Sequence, residues 1–150
     1  MNSFMRLYRF SVLLLLTAAL AVAQSSPNQT YTLTIVVEGM DSNVGNLGVL
    51  VFNNEKGWPE DRTAALKDIS VPAEKGTQTM KIPGLPPGNY AVALIHDVNQ
   101  NHKLDKNWIG QPKEQWGLSN NPHATLKAPP MSKALFELKE DKEIHIILQK

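Results

Sequence analysis

The chain has 150 residues, 15 Lys and Arg against 14 Asp and Glu, and a formal charge of +1 at pH 7. That length fits one domain, and the near-balanced charge excludes the basic excess expected of a nucleic-acid binder. The absence of Cys excludes disulfides, thiolate metal sites and cysteine catalysis together, while 10 Pro and 9 Gly favour turns over long helices.

Residues 1–23 read as an export leader. Arg6 and Arg9 make a positive start and Phe10–Leu20 an apolar stretch. Ala21-Val22-Ala23 then supplies the small-x-small pattern that signal peptidase reads, which places cleavage before Gln24. The apolar run is shorter than the roughly 18–20 residues that span a bilayer. No stop-transfer charges follow, and no Cys at the cleavage site offers a lipid anchor. The expectation is a secreted or periplasmic protein without a membrane span after cleavage. A polar linker over 24–29 then leads into a single domain over 30–150.

Within that domain Tyr31, Leu33, Ile35 and Val37 alternate with polar Thr32, Thr34 and Glu38, the period of a half-buried strand. Asp41–Asn46 is turn chemistry, and Leu47–Phe52 resumes as a second strand. Asp61–Lys67 is long enough for one or two helical turns. Asp68–Ala73 and Thr77–Ile82 read as a hairpin around Glu74-Lys75-Gly76. After the Pro86-Pro87-Gly88 turn, Tyr90–Ile95 (YAVALI) is apolar on both faces, which predicts a central strand covered on both sides. No period holds across Asp97–Asn121, so a long polar loop over 97–134 is expected to pack over one end of the fold. Leu135–Leu138 and Ile144–Leu148 close the chain as strands. Short strands separated by turn signals predict an all-β chain, one β-sandwich of about seven strands.

The loop opens with the stretch richest in chemistry. Asp97, Asn99 and Asn101 place oxygens at alternate positions, and Asp105 adds another. In a tight loop that spacing turns the side chains toward one hard cation, with the Lys103 carbonyl serving at the step between. Oxygen-only ligation suits Ca²⁺ rather than metals that prefer nitrogen and sulfur. An EF-hand loop has Gly at its sixth position and Glu at its twelfth; here those are His102 and Trp108. His102 must therefore take a positive φ, and Glu114 is the nearest downstream carboxylate for bidentate ligation. With so few charged ligands the site is expected to be weak, roughly 10⁻⁴–10⁻³ M, and structural. The plain alternative is a set of Asx-turns without an ion.

Catalytic constellations are missing. The four His (96, 102, 123 and 145) have no metal-binding spacing. Ser119, His96 and Asp97 lack a nucleophile elbow, and adjacent strand residues face opposite ways. No catalytic residue is assigned. Trp58, Trp108 and Trp116 carry flat faces able to stack on sugars, although burial as caps of the sandwich competes with that use. The candidate ligand contacts are His96, Trp108, Trp116, Ser119, Asn120 and Asn121. The expected function is a non-catalytic exported module with a Ca²⁺ loop, binding a glycan or an envelope protein. A small periplasmic hydrolase acting through 96–121, with Asp97 and Glu114, is the alternative.

Four blocks occur in order: Gly48–Phe52, Leu85–Val92, His96–Asp105 and Ile109–Asn121. Together they resemble an exported bacterial family, the domain of unknown function 2141, over about residues 31–148. The His-Asp-x-Asn-x-Asn block is specific, and the Pro-Pro-Gly-x-Tyr turn is shared with many transthyretin-like sandwiches. Membership implies an immunoglobulin-like or prealbumin-like sandwich and no established activity. The family usually has Gly where His102 stands. Transthyretin-like hydrolases end in Tyr-Arg-Gly-Ser, unlike the Ile-Leu-Gln-Lys end here.

Overall fold

Alternating side chains become the two faces of two sheets in the computed structural model, which describes residues 29–123 and 127–150. The expected leader over 1–23 and the expected linker as far as residue 28 lie outside the described residues. Among the described residues there are eight strands: β1 (Tyr31–Met40), β2 (Asn46–Phe52), β3 (Lys67–Pro72), β4 (Gly76–Leu85), β5 (Gly88–Asp97), β6 (Trp116–Leu118), β7 (Phe136–Leu138) and β8 (Lys142–Ile147). One sheet has the order β4-β1-β8. The other runs β3-β2-β5-β6, with β7 pairing the start of β5. β8 lies parallel to β1, with Ile35 opposite Ile144, while the other strand pairs are antiparallel.

Leu33, Ile35 and Val37 of β1 meet Leu47, Val49 and Val51 of β2 and Tyr90, Val92 and Leu94 of β5 in the core between the sheets. Burying such side chains is worth about 1.5–3 kcal/mol each, which makes this layer the main source of stability. The large sheet also has a covered outer face. There Phe52, Ala91, Ala93 and Leu118 pack with Met131, Ala134 and Trp58. Trp58 meets Phe52 edge to face at 5.3 Å between ring centroids and donates its indole N–H to the Pro129 carbonyl at 2.9 Å. β5 is thus central and buried on both sides, as its apolar run predicts. At its start the Tyr90 hydroxyl donates to the Pro86 carbonyl at 2.7 Å, and burial holds the phenol above its ordinary pKa.

Three local expectations give way to tertiary pairing. The segments 68–73 and 77–82 do not form a hairpin. β3 pairs with β2 and β4 with β1, so the chain changes sheets at Ala73, whose N–H donates to the Gly45 carbonyl at 3.1 Å. Buried Gln78 secures the crossing by donating to the Pro72 carbonyl and accepting from the Glu74 N–H. Residues 61–66 make turns rather than helix and Lys67 already belongs to β3, because the Asp61 carboxylate takes the Thr63 N–H at 2.9 Å and the Leu66 N–H goes to Val51 of β2. The stretch after Asp97 is not all loop, since Trp116–Leu118 fills the open edge of β5.

Beside β1, His145 of β8 sits 2.8 Å from Glu38 and 3.3 Å from Glu143. Hydrogen bonding to Glu38 is the main cause that holds its imidazole above the ordinary 6.5, with Glu143 adding to it. A raised folded-state value means that the stabilisation is full below about pH 6.5 and fades as pH rises through the folded pKa. An NMR titration should place His145 above 6.5, and Glu38→Gln should bring it back down.

Candidate cation loop

Asp97 ends β5 on its outer-facing alternation, and there the chain turns away instead of extending the strand. Its carboxylate is 2 % exposed. Oδ1 accepts the Asn101 N–H at 3.1 Å and Oδ2 the His102 N–H at 2.8 Å, which folds the next five residues around it. The Asn99 side-chain oxygen accepts the Asn101 N–H at 3.2 Å, and that of Asn101 accepts the Lys103 N–H at 2.9 Å. Asp105 closes the ring by receiving the amide groups of Asn99 at 2.7 Å and Asn101 at 2.9 Å. Gln100 at φ +60° and His102 at φ +62° take left-handed conformations. The second is the positive φ expected at the sixth loop position.

Glu114, also buried, braces the loop from outside the ring. Its two oxygens accept the Val98 N–H at 2.9 Å and the Asp105 N–H at 3.1 Å, and the Lys113 N–H donates to the Asp105 carbonyl at 2.7 Å. Its place here is on backbone amides at both ends of the loop. Among the described residues no three His, Cys, Asp or Glu side chains gather closely enough to hold a metal. The oxygens of Asp97, Asn99, Asn101 and Asp105 each accept an N–H, and a carboxylate or amide oxygen so bonded keeps a second lone pair. The Asn99 and Asn101 amide groups now present their positive ends to Asp105. Offering their oxygens toward Asp105 instead requires both amides to turn over and to release the Asn101 and Lys103 N–H groups that those oxygens now accept.

The six candidate ligand contacts do not form one surface. His96 is buried under the β1–β2 turn, with Nε2 donating to the Val44 carbonyl at 2.8 Å and Nδ1 3.3 Å from the Gln115 amide oxygen. Ser119 fills the gap between β6 and β7: its hydroxyl accepts the Val92 N–H at 2.9 Å and donates to the Ala134 carbonyl at 2.6 Å. Asn120 donates to the Leu135 carbonyl, and Asn121 holds the β8 backbone at His145 and Ile147. Trp116 is half buried on the outer face, with its backbone paired to Gln149. Trp108 stands apart, 95 % exposed beside Ile109. The Asn107 side chain fixes that tip by accepting the Ile109 and Gln111 N–H groups.

Sequence reasoning missed Gln115. It is buried, donates to the Gly39 carbonyl at 2.7 Å and accepts the Asp41 N–H at 2.9 Å, so it ties β1 to the base of the loop. Nothing local distinguishes it from an exposed glutamine, because Gly39 and Asp41 lie more than 70 residues away and even His96 lies 19 away.

A small two-sheet β-sandwich whose central strand runs into an oxygen-rich loop, braced by a buried glutamate, is the class that this fold and site define. The chain belongs to a family of uncharacterised proteins conserved in bacteria, the domain of unknown function 2141, whose model matches residues 35–146. Neither a curated protein nor a solved structure matches it.

Proposed function

We propose that this is an exported, non-catalytic β-sandwich module. In this reading its 97–105 loop holds Ca²⁺ as a structural ion, and its surface binds a glycan or an envelope protein. The observation that carries the ion reading is the closed ring of oxygen-bearing side chains, Asp97, Asn99, Asn101 and Asp105, around a left-handed sixth position. Export rests on the leader pattern of residues 1–23. Trp108 supports surface recognition, since its ring is open for stacking. The non-catalytic reading is preferred over a hydrolase because Asp97 and Glu114, the carboxylates suited to acid–base work, are buried beneath the backbone N–H groups that they accept rather than presented to a substrate.

The test is a thermal melt of the mature chain in millimolar CaCl₂ against EDTA. An ion at 100 times its Kd stabilises by about 2.7 kcal/mol, so the midpoint should rise by several degrees for a domain of this size. Asp105→Ala should remove the calcium response. A midpoint indifferent to calcium, with no heat of binding by calorimetry, overturns the ion reading and leaves a ladder of Asx-turns.

A further inference from the structure

The outer face of the large sheet is covered at one end by Trp58, Met131 and Ala134, but it opens elsewhere into a groove. Two adjoining hollows of about 370 and 290 Å³ share Ala93 and Ile95 of β5 as floor and Pro59, Leu104 and the Glu60–Lys106 pair as walls. Each is about the size at which small-molecule sites begin, roughly 300 Å³. The first hollow continues over Gly48 and Leu50, and the second reaches Trp116 and Leu118. Gly48 lies opposite Ile95 across the β2–β5 pair, and a Cβ there would come within 2.9 Å of the Ile95 side chain. The absence of a side chain at that position lets Ile95 lie flat and keeps the floor low.

We infer that this groove binds a single-chain amphiphile with an anionic head, of the fatty-acid class. Three observations choose that occupant. The floor over Gly48, Leu50, Ala93, Ile95 and Leu118 is apolar, and four of the polar side chains around it, Glu60, Arg62, Asp68 and Lys106, are already paired with one another, which leaves Ser70, His102 and the Trp116 indole as few partners for the hydroxyls of a sugar. It is the face of a sheet, not an edge: the backbone groups of β2 and β5 are already paired, so an extended peptide gains no main-chain bonds. The rim is cationic after pairing is counted. Glu60 is taken by Lys106 at 2.6 Å and Asp68 by Arg62 at 2.7 Å. Lys103 and Lys127 line the groove without a carboxylate partner among the described residues. An apolar chain along the floor and a carboxylate at either lysine match both features. The proposal needs no ion in the 97–105 loop, and its test is run in EDTA and in CaCl₂ to keep the two readings apart.

Dodecanoate, titrated below its micellar concentration into the mature chain, is the probe. Trp116 lines the groove and reports binding through its fluorescence, and calorimetry supplies the stoichiometry. One site per chain is expected. The exposed double variant Lys103→Glu/Lys127→Glu should weaken dodecanoate at least tenfold while leaving 1-dodecanol within twofold. Ile95→Glu, checked for folding by its melt, should weaken both. Binding of dodecanoate that is unchanged in the lysine variant, that never saturates, or that appears only with phosphatidylglycerol vesicles overturns the proposal.

Discussion

Asp97→Ala is expected to lower stability by roughly 2–4 kcal/mol even in EDTA, where no ion contributes. Each oxygen of this carboxylate accepts a backbone N–H, and a hydrogen bond to a charged group is worth about 1.5–3 kcal/mol. The upper end is discounted because Asn101 and His102 are exposed and their freed N–H groups can reach water. For a domain of this size the melting midpoint should fall by roughly 10 °C. Urea denaturation of wild type and variant in EDTA measures it. Asp97→Asn, which keeps one acceptor oxygen, should fall between them. A variant within 0.5 kcal/mol of wild type would show that solvent replaces the carboxylate, and that the loop is not organised around it.

A second large loss is expected from Gly45→Ala. Gly45 turns the chain from β1 into β2 at φ +79°, and a Cβ there would lie on the Asp97 carbonyl oxygen and 2.6 Å from the Val98 Cα. Both neighbours are backbone, so no rotamer change relieves the contact. The left-handed conformation alone costs an alanine about 1–2 kcal/mol. Separating two backbones in a close-packed region adds to it, for roughly 3 kcal/mol or more in total. Gly76→Ala is the control. Gly76 has φ +91° with nothing near its would-be Cβ, so only the conformational cost applies. Equal losses in the two variants, measured by urea denaturation, would refute the close approach at Gly45.

Both predictions concern a junction that is half legible in the chain. The Asp97-x-Asn99-x-Asn101 spacing announces a loop of inward oxygens, and Asx chemistry is local: each side chain bonds an N–H two to five residues on. The positive φ of His102 follows from the same spacing. The partners that hold the loop in place are not local. Gly45 lies against the Asp97 backbone from the β1–β2 turn, and the imidazole of His96 reaches the carbonyl of Val44. Spacing in the sequence carries no trace of such contacts.

By itself the sequence determined the strands that alternate or are wholly apolar, the centrality of Tyr90–Ile95, the all-β class and the oxygen-rich loop. Each of these is written in side chains within about ten residues of one another, where period and turn chemistry act. Only the tertiary structure decided which strands share a sheet. The chain crosses between sheets at Ala73 because β2 and β1 each offered an edge. Three residues too few to show a period, Trp116–Leu118, became β6 because the edge of β5 needed a partner for its backbone groups. It was also tertiary packing that set Glu114 on the amides of Val98 and Asp105, buried Ser119 between strands and left the lysine-rimmed groove over Ala93 and Ile95. Burial and backbone satisfaction are properties of the assembled sheets, and they reassign polar residues that look alike along the chain.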